Sequence, residues 1–253
     1  MPKFSAEHLR GSPSLTLIVA SFSARAYAQA LVEAGHQVVT LDAFADADTV
    51  RIVKHTYQFR LHNFQVDVAD FKRVFLTLEL SQFDGFLYGS CFDALPELLD
   101  WVASKIRVIG NDAAVMRIAK GFDFFKRLDV LNIWHPSVQK TMPVNATQWL
   151  GKRLGGTGGL HVSEVINQAQ LLSSMQPVDY YQEKINGIPI SMLFIANGEI
   201  AQGLGFNRQL LAPSDRWPYR YGGAVSAYDL PHVAKLSFEV AAQELTQQLG
   251  LRG

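Results

Sequence analysis

Lys152 stands three residues ahead of a loop in which Gly155, Gly156, Gly158 and Gly159 flank Thr157. Glycine has no Cβ, so successive backbone N–H groups in such a loop can close against a bulky anion. The lysine adds a mobile point charge suited to phosphate oxygens. Together they point to the polyphosphate of a nucleoside triphosphate. Taken alone, Gly-Gly-Thr-Gly-Gly is equally a flexible hairpin tip, because glycine is the usual turn residue. It is not a Walker P-loop, which needs Gly-Lys-Ser/Thr followed by a helix; here Leu160-His161-Val162 follows. The glycine spacing does not make a dinucleotide fingerprint either.

The chain that must position these residues has 253 of them, enough for one sizeable core or two small domains. Apolar residues make up 48%, charged residues 18%, and the formal net charge is zero, an ordinary globular composition. Neutrality argues against a dedicated binder of nucleic acid or of an anionic membrane, which needs a basic face. The single cysteine, Cys91, excludes an internal disulfide and fits a cytoplasmic home. The N-terminal segment is too polar for a secretory signal, and no apolar run approaches the roughly 20 residues of a membrane span.

Leu15–Ala20 is a continuous apolar run, as expected of a strand buried on both faces. Ala24, Tyr27, Ala28, Leu31 and Val32 then recur at helical spacing, Gly35 stands at a C-cap position, and Val38–Asp42 gives a second strand. This is a parallel βαβ opening. Its first turn, Ser21-Phe22-Ser23, lacks the glycines that hold a pyrophosphate, so an NAD site is not expected there, and Asp42 reads as a strand-end carboxylate. Phe83–Ser90 continues the sheet, a helix runs through Leu95, Leu98, Leu99 and Val102, and Arg107–Gly110 is a further strand. Asn111 or Asp112 caps a helix carrying Val115, Ile118, Ala119, Phe122 and Phe125, with a domain boundary near residues 110–120. Beyond 138 the texture changes. Short β-like runs appear at 148–154 and 160–162, a helix is expected across Ser163–Ser174, and strands follow at Tyr180–Ile185 and Ile190–Ile195. Asn197-Gly198 is a strong hairpin signal leading into Glu199–Leu204, and a last helix spans about Pro231 to Leu249.

Three features in this order resemble the ATP-grasp superfamily: Lys120 on the boundary helix, sixteen residues before Pro136; Lys152 leading into the Gly155–Gly159 loop; and Gln182-Glu183-Lys184-Ile185-Asn186-Gly187 followed by Pro189 and a strand. The resemblance covers about residue 15 onward. It implies an α/β fold: a Rossmann-like pre-ATP-grasp domain over 1–114, then an α+β ATP-grasp nucleotide-binding domain over 115–253 that lacks its last strands. More narrowly, Gln182–Ser191, Gln209-Leu210 and Tyr221–Ala224 resemble uncharacterised ATP-grasp proteins found near genes for tetrahydromethanopterin-type one-carbon metabolism.

The resemblance assigns ATP to Lys120, Lys152, the Gly155-Gly156-Thr157-Gly158-Gly159 lid, and the Gln182, Glu183, Lys184 and Ile185 segment, whose backbone meets adenine. It implies an ATP-dependent carboxylate–amine ligase working through an acyl phosphate, with Arg208 and Arg220 holding the acid or the transferring phosphoryl group. The family's ribose glutamate is replaced here by Pro189. Its Mg²⁺ ligands are expected beyond Gly253, so no metal ligand is assigned, and Glu239 and Glu244 are expected to face solvent. The expected partners are a small-molecule carboxylate and an amine, with no nucleic acid and no membrane; a homodimer is left open. A non-catalytic nucleotide-binding or regulatory subunit is the rival. Cys91 reads as a packing residue at a strand end, and Leu211–Gly223 as a long loop rich in Trp, Tyr and Arg.

Overall fold

The computed structural model describes residues 13–62, 64–165 and 177–253. The chain divides into two compact units, one up to Ala114 together with Gly253, the other Val115–Arg252.

The first unit is built on β1 (Thr16–Ser21), α1 (Arg25–Glu33), β2 (Gln37–Asp42), α2 (Ala47–Ile52), β3 (His55–Gln58), β4 (Leu61–His62), β5 (Gln65–Val66), α3 (Val68–Phe75), β6 (Gly85–Tyr88), α4 (Pro96–Ala103) and β7 (Val108–Ile109). Five strands form a parallel sheet in the order β3-β2-β1-β6-β7, while β4 and β5 make a small antiparallel pair. The central strands are buried almost throughout, which is why they read as unbroken apolar runs rather than alternating ones. One side of the core is aromatic. Phe59, Phe71, Phe75, Phe86 and Phe92 are all fully buried, with neighbouring ring centroids 5.3–6.0 Å apart in mostly edge-to-face contacts. The periodicity of the sequence assigns nothing between 43 and 82, yet α2, β3 and α3 lie there. Their starts are fixed by side-chain caps: Asp46 accepts from Asp48 and Thr49, and Asp67 from Asp70.

Asp42, at the end of β2, is fully buried and is a staple. One carboxylate oxygen accepts from the Ala24 N–H at 2.8 Å, the other from Phe44 and Ala45 at 2.9 and 3.0 Å. It thereby satisfies donors at the entry of α1 and in the turn after its own strand.

The second unit contains α5 (Ala113–Ala119, its first residues shared with the first unit), α6 (Asp123–Val130), β8 (Val138–Gln139), β9 (Trp149–Lys152), β10 (Val162–Glu164), β11 (Tyr180–Glu183), β12 (Ile190–Ala196), β13 (Ala201–Leu211), β14 (Tyr221–Val225) and α7 (His232–Leu249). Two antiparallel sheets result, ordered β10-β9-β11-β8 and β12-β13-β14. The Asn197-Gly198 turn joins β12 to β13 as its sequence predicts, with Asn197 Oδ1 accepting from Glu199 and Ile200. α7 covers β13 through Phe238 on Phe206, centroids 5.6 Å apart, and Gln243 bonds the backbone of Glu199 and Ala201.

Four expectations change. The single helix carrying Val115 to Phe125 is two, α5 and α6, because the chain turns at Gly121, where a Cβ would lie 2.4 Å from the Arg117 carbonyl oxygen. Lys120 therefore follows the end of α5 rather than sitting within a helix. Ser163 and Glu164, expected to be helical, are in β10, paired with Gly151 and Leu150; the rest of that expected helix, 166–174, lies outside the described residues. β13 runs on through Arg208 to Leu211 because β14 pairs with its second half, so the expected 211–223 loop shrinks to 212–220.

Replacing Asp42 by alanine leaves three backbone donors at the sheet's edge without their acceptor, and each buried unsatisfied group costs on the order of 1–3 kcal/mol. Urea unfolding of Asp42→Ala is expected to show a loss of about 3 kcal/mol, with a smaller loss for Asp42→Asn.

Candidate functional site

β9 is flanked on both sides, and its last residue, Lys152, lies opposite Val162 of β10 and Tyr180 of β11. Gln182 is two residues along β11 from Tyr180, so its side chain projects from the same face as that of Lys152. The Lys152 ammonium donates to Gln182 Oε1. Burial holds the Lys152 pKa below its ordinary value, and the partner is a neutral amide rather than a carboxylate. Just beyond β9, Asp179 ties down the strand end, its N–H donating to the Lys152 carbonyl at 2.9 Å and its carboxylate accepting from Leu154 N at 2.8 Å.

The glycine loop begins there. Gly155 N–H donates to the carbonyl of Lys120 at 3.3 Å, so the turn after α5 and the start of the loop are in contact. Further on, Gly158 accepts from Tyr221 N–H at 2.9 Å. Gly159 has φ +73° and lies so close to the neighbouring chain that a Cβ would stand 1.8 Å from the Tyr219 carbonyl oxygen. Gly156 is pressed on the ring of His161, where a Cβ would meet Cγ at 2.0 Å. The flap is thus folded against residues 219–221 on one side and around an imidazole on the other.

That imidazole faces Lys152, Arg153 and Lys120. Burial, then the Lys152 charge, push its pKa down to about 4, with Arg153 and Lys120 adding to the effect, while the adjoining Thr157 backbone acts the other way. His161 Nδ1 and Arg153 Nε are buried and have no hydrogen-bond partner among the described residues. Orphaned buried polar atoms of this kind are uncommon, and a water, an ion or a ligand group is what can satisfy them; the hydroxyls of Thr49 in α2 and Thr246 in α7 are orphaned in the same way.

On β11 and after it, Glu183 accepts from Ser137 Oγ at 2.8 Å, and its N–H and that of Lys184 are used by the Ser137 and Gln148 carbonyls. The Lys184 carbonyl and the Ile185 N–H carry no hydrogen bond among the described residues. The Lys184 ammonium lies 3.0 Å from Glu164, which also accepts from Tyr219 OH at 3.0 Å. The Lys184 bond lowers the Glu164 pKa, and the Glu164 bond raises that of Lys184. This exposed cluster ties the end of β11 to the 212–220 loop.

The structure therefore brings Lys120, Lys152 and the Gly155–Gly159 loop together, with Gln182 touching Lys152 and Glu183, Lys184 and Ile185 following it. It does not gather the two arginines in the same way. Arg208 is exposed in the middle of β13, opposite Ile190 and Val225, instead of following a strand end. Arg220 has its backbone against Gly159, but its Nε donates to the Ala212 carbonyl at 2.8 Å. Cys91 is buried in a short turn after β6, and burial, then Asp93, push its thiol up to about 12, which suits packing and not nucleophilic attack. Arg153, His161, Glu164 and Tyr219 escaped the sequence argument. The first two adjoin the glycine motif, but only burial distinguishes them from surface polar residues.

A cationic cluster beside a flap of glycine backbone fits a polyphosphate. Among the described residues no group of three or more His, Cys, Asp or Glu side chains could hold a metal ion. Among them, too, no helix is long and apolar enough to cross a membrane.

Comparison with known proteins agrees on the fold. No curated protein matches the sequence. Among solved structures, N5-carboxyaminoimidazole synthetase from Staphylococcus aureus complexed with ADP superposes with a TM-score of 0.65 at 13% identity, over 94% of this chain and 64% of that one. L-amino acid ligase from Bacillus licheniformis gives 0.68 at 14%, over 94% and 60%. The β,γ-ATP complex of biotin carboxylase from Campylobacter jejuni gives 0.70 at 12%, over 98% and 61%. The chain thus spans less than two thirds of the length of each. The family model for the ATP-grasp domain matches residues 119–253, from the end of α5 through the glycine flap to the last residue. This chain belongs to the ATP-grasp family.

Proposed function

We propose that the protein binds ATP in its second unit and uses it to join a carboxylate to an amine. The observation that carries this is the meeting of the Lys120 turn, the Lys152 ammonium and the glycine flap at one place, where buried polar atoms have no partner among the described residues. The triphosphate lies against Lys120 and Lys152, and the flap amides close over it and exclude water. Adenine meets the Lys184 carbonyl and the Ile185 N–H, the first unpaired groups after the β11 ladder. In the reaction, a carboxylate oxygen attacks the γ-phosphorus in line and ADP leaves, giving an acyl phosphate. An amine then attacks the acyl carbon, loses a proton and expels phosphate, leaving an amide. The chain's contribution is positioning and charge stabilisation. Arg208 and Arg220 are the proposed holders of the acid or the transferring group. Solved structures of the same fold, at 12–14% identity, include a synthetase with ADP, an L-amino acid ligase and a carboxylase with ATP, which favours this reaction class. The finer likeness to proteins encoded near one-carbon genes rests on residues 182–191, 209–210 and 221–224 alone.

Incubating the protein with ATP and a panel of carboxylates and amines is expected to release ADP only when both substrates are present. ATP binding without any turnover would instead mark a nucleotide-binding subunit. Lys152→Met keeps the apolar stem and removes the charge. Calorimetric titration of this variant is expected to show roughly 10–100-fold weaker ATP binding, the equivalent of one charge-assisted hydrogen bond.

The flap supplies a paired test. Gly158 and Gly159 both have positive φ, +64° and +73°, so alanine at either incurs similar backbone strain, about 1 kcal/mol. Only at Gly159 does the new methyl collide with backbone; at Gly158 nothing lies within 4 Å. Gly159→Ala is therefore expected to weaken ATP binding at least about fivefold more than Gly158→Ala, since overpacking adds roughly 1–3 kcal/mol. Equal losses would show that docking of the flap on Tyr219 is irrelevant to binding.

A further inference from the structure

His161 is left over by the reaction just described. Its ring fills the hollow of the flap against Gly156, at a distance no alanine would allow, and its Nδ1 is buried with nothing to accept from or donate to among the described residues. The charges of three cations act on it, Lys152 at the end of β9 most strongly, then Arg153 beside it and Lys120 in the turn whose carbonyl accepts from Gly155. A neutral imidazole is what such a place tolerates. Protonation would add a fourth positive charge to a cluster whose ammonium at Lys152 is itself partnered only by an amide.

An anionic polyphosphate reverses that balance. Once its charge compensates the lysines and the arginine, an imidazolium in the same position gains attraction in place of repulsion. The Thr157 backbone already favours the charged ring. Nδ1 can then carry a proton taken from solvent and donate it toward the bound anion. Because the ring supports Gly156 from behind, the charge change and the placement of the flap are one event.

We propose that His161 is a positioning residue of the glycine flap that takes up a proton when a polyphosphate occupies the Lys120–Lys152–Arg153 cluster. The inference rests on the nucleotide reading for its natural ligand, but the cation cluster can be tested separately with inorganic tripolyphosphate, which has no adenine.

The experiment follows the imidazole C–H resonances of His161 in the full chain, assigned with His161→Gln, as pH is varied. Alone, the ring is expected to titrate near 4. With saturating tripolyphosphate, and with saturating ATP, the titration should move up by about one pH unit or more. As a second readout, tripolyphosphate affinity of the natural protein relative to His161→Gln should rise about twofold between about pH 7 and about pH 5 for a one-unit shift, and roughly tenfold for a two-unit shift, the sign required when binding takes up a proton. A merely structural histidine would lower affinity equally at both pH values. Movement with tripolyphosphate while ATP fails to bind keeps the inference and removes the nucleotide reading. Binding of either anion with the His161 titration unmoved overturns the inference, and binding of neither overturns both.

Discussion

The ammonium of Lys152 is removed from water and given an amide as its partner, and the site is organised around that single choice. A buried ammonium beside a carboxylate would form an ion pair, and an incoming phosphate would have to break it. Gln182 Oε1 offers a hydrogen bond without a countercharge. The desolvation cost remains, visible as the lowered pKa of Lys152 and the still lower one of His161. In the proposed function that charge meets the triphosphate, and the β9–β11 register is what places the two side chains together.

Around this fixed ladder the moving parts are held lightly. The flap meets residues 219–221 through one backbone hydrogen bond and the close approach at Gly159. The Lys184–Glu164–Tyr219 cluster that steadies the 212–220 loop is solvent-exposed, and exposed ion pairs of this type contribute about 0–1 kcal/mol. Weak fastening of this kind suits the lid role proposed for the flap, whereas Asp179, bonded to both Lys152 and Leu154, belongs to the frame.

How much of this was legible in the sequence follows from how local each signal is. The parallel opening through β1, α1 and β2 was readable because strands covered on both faces leave unbroken apolar runs, and the β12–β13 hairpin because Asn197-Gly198 has its own turn geometry. The segment 43–82 was not, since its helices are short and begin on single aspartate caps, and its core is a cluster of phenylalanines without clear period. The far half of β13 depends on pairing with β14, more than ten residues away in sequence, and Arg208 moved from a strand end to a strand interior for that reason. The glycine loop and both lysines were visible as residue types. His161 was visible too, but its burial against Gly156, which gives it a role, is a property of the fold alone.

The segment after β11 shows the same limit from the other side. Glu183 looks like the residue to contact a ligand there, yet its carboxylate is engaged by Ser137, and its amide and that of Lys184 are used by neighbouring carbonyls. Among the described residues the Lys184 carbonyl and the Ile185 amide carry no hydrogen bond, and the proposed function gives them to adenine; they are groups that every non-proline residue possesses. Recognition by backbone fixes where a purine edge can sit through the register of the ladder and not through side-chain identity. A site of this kind tolerates wide sequence change while keeping its geometry.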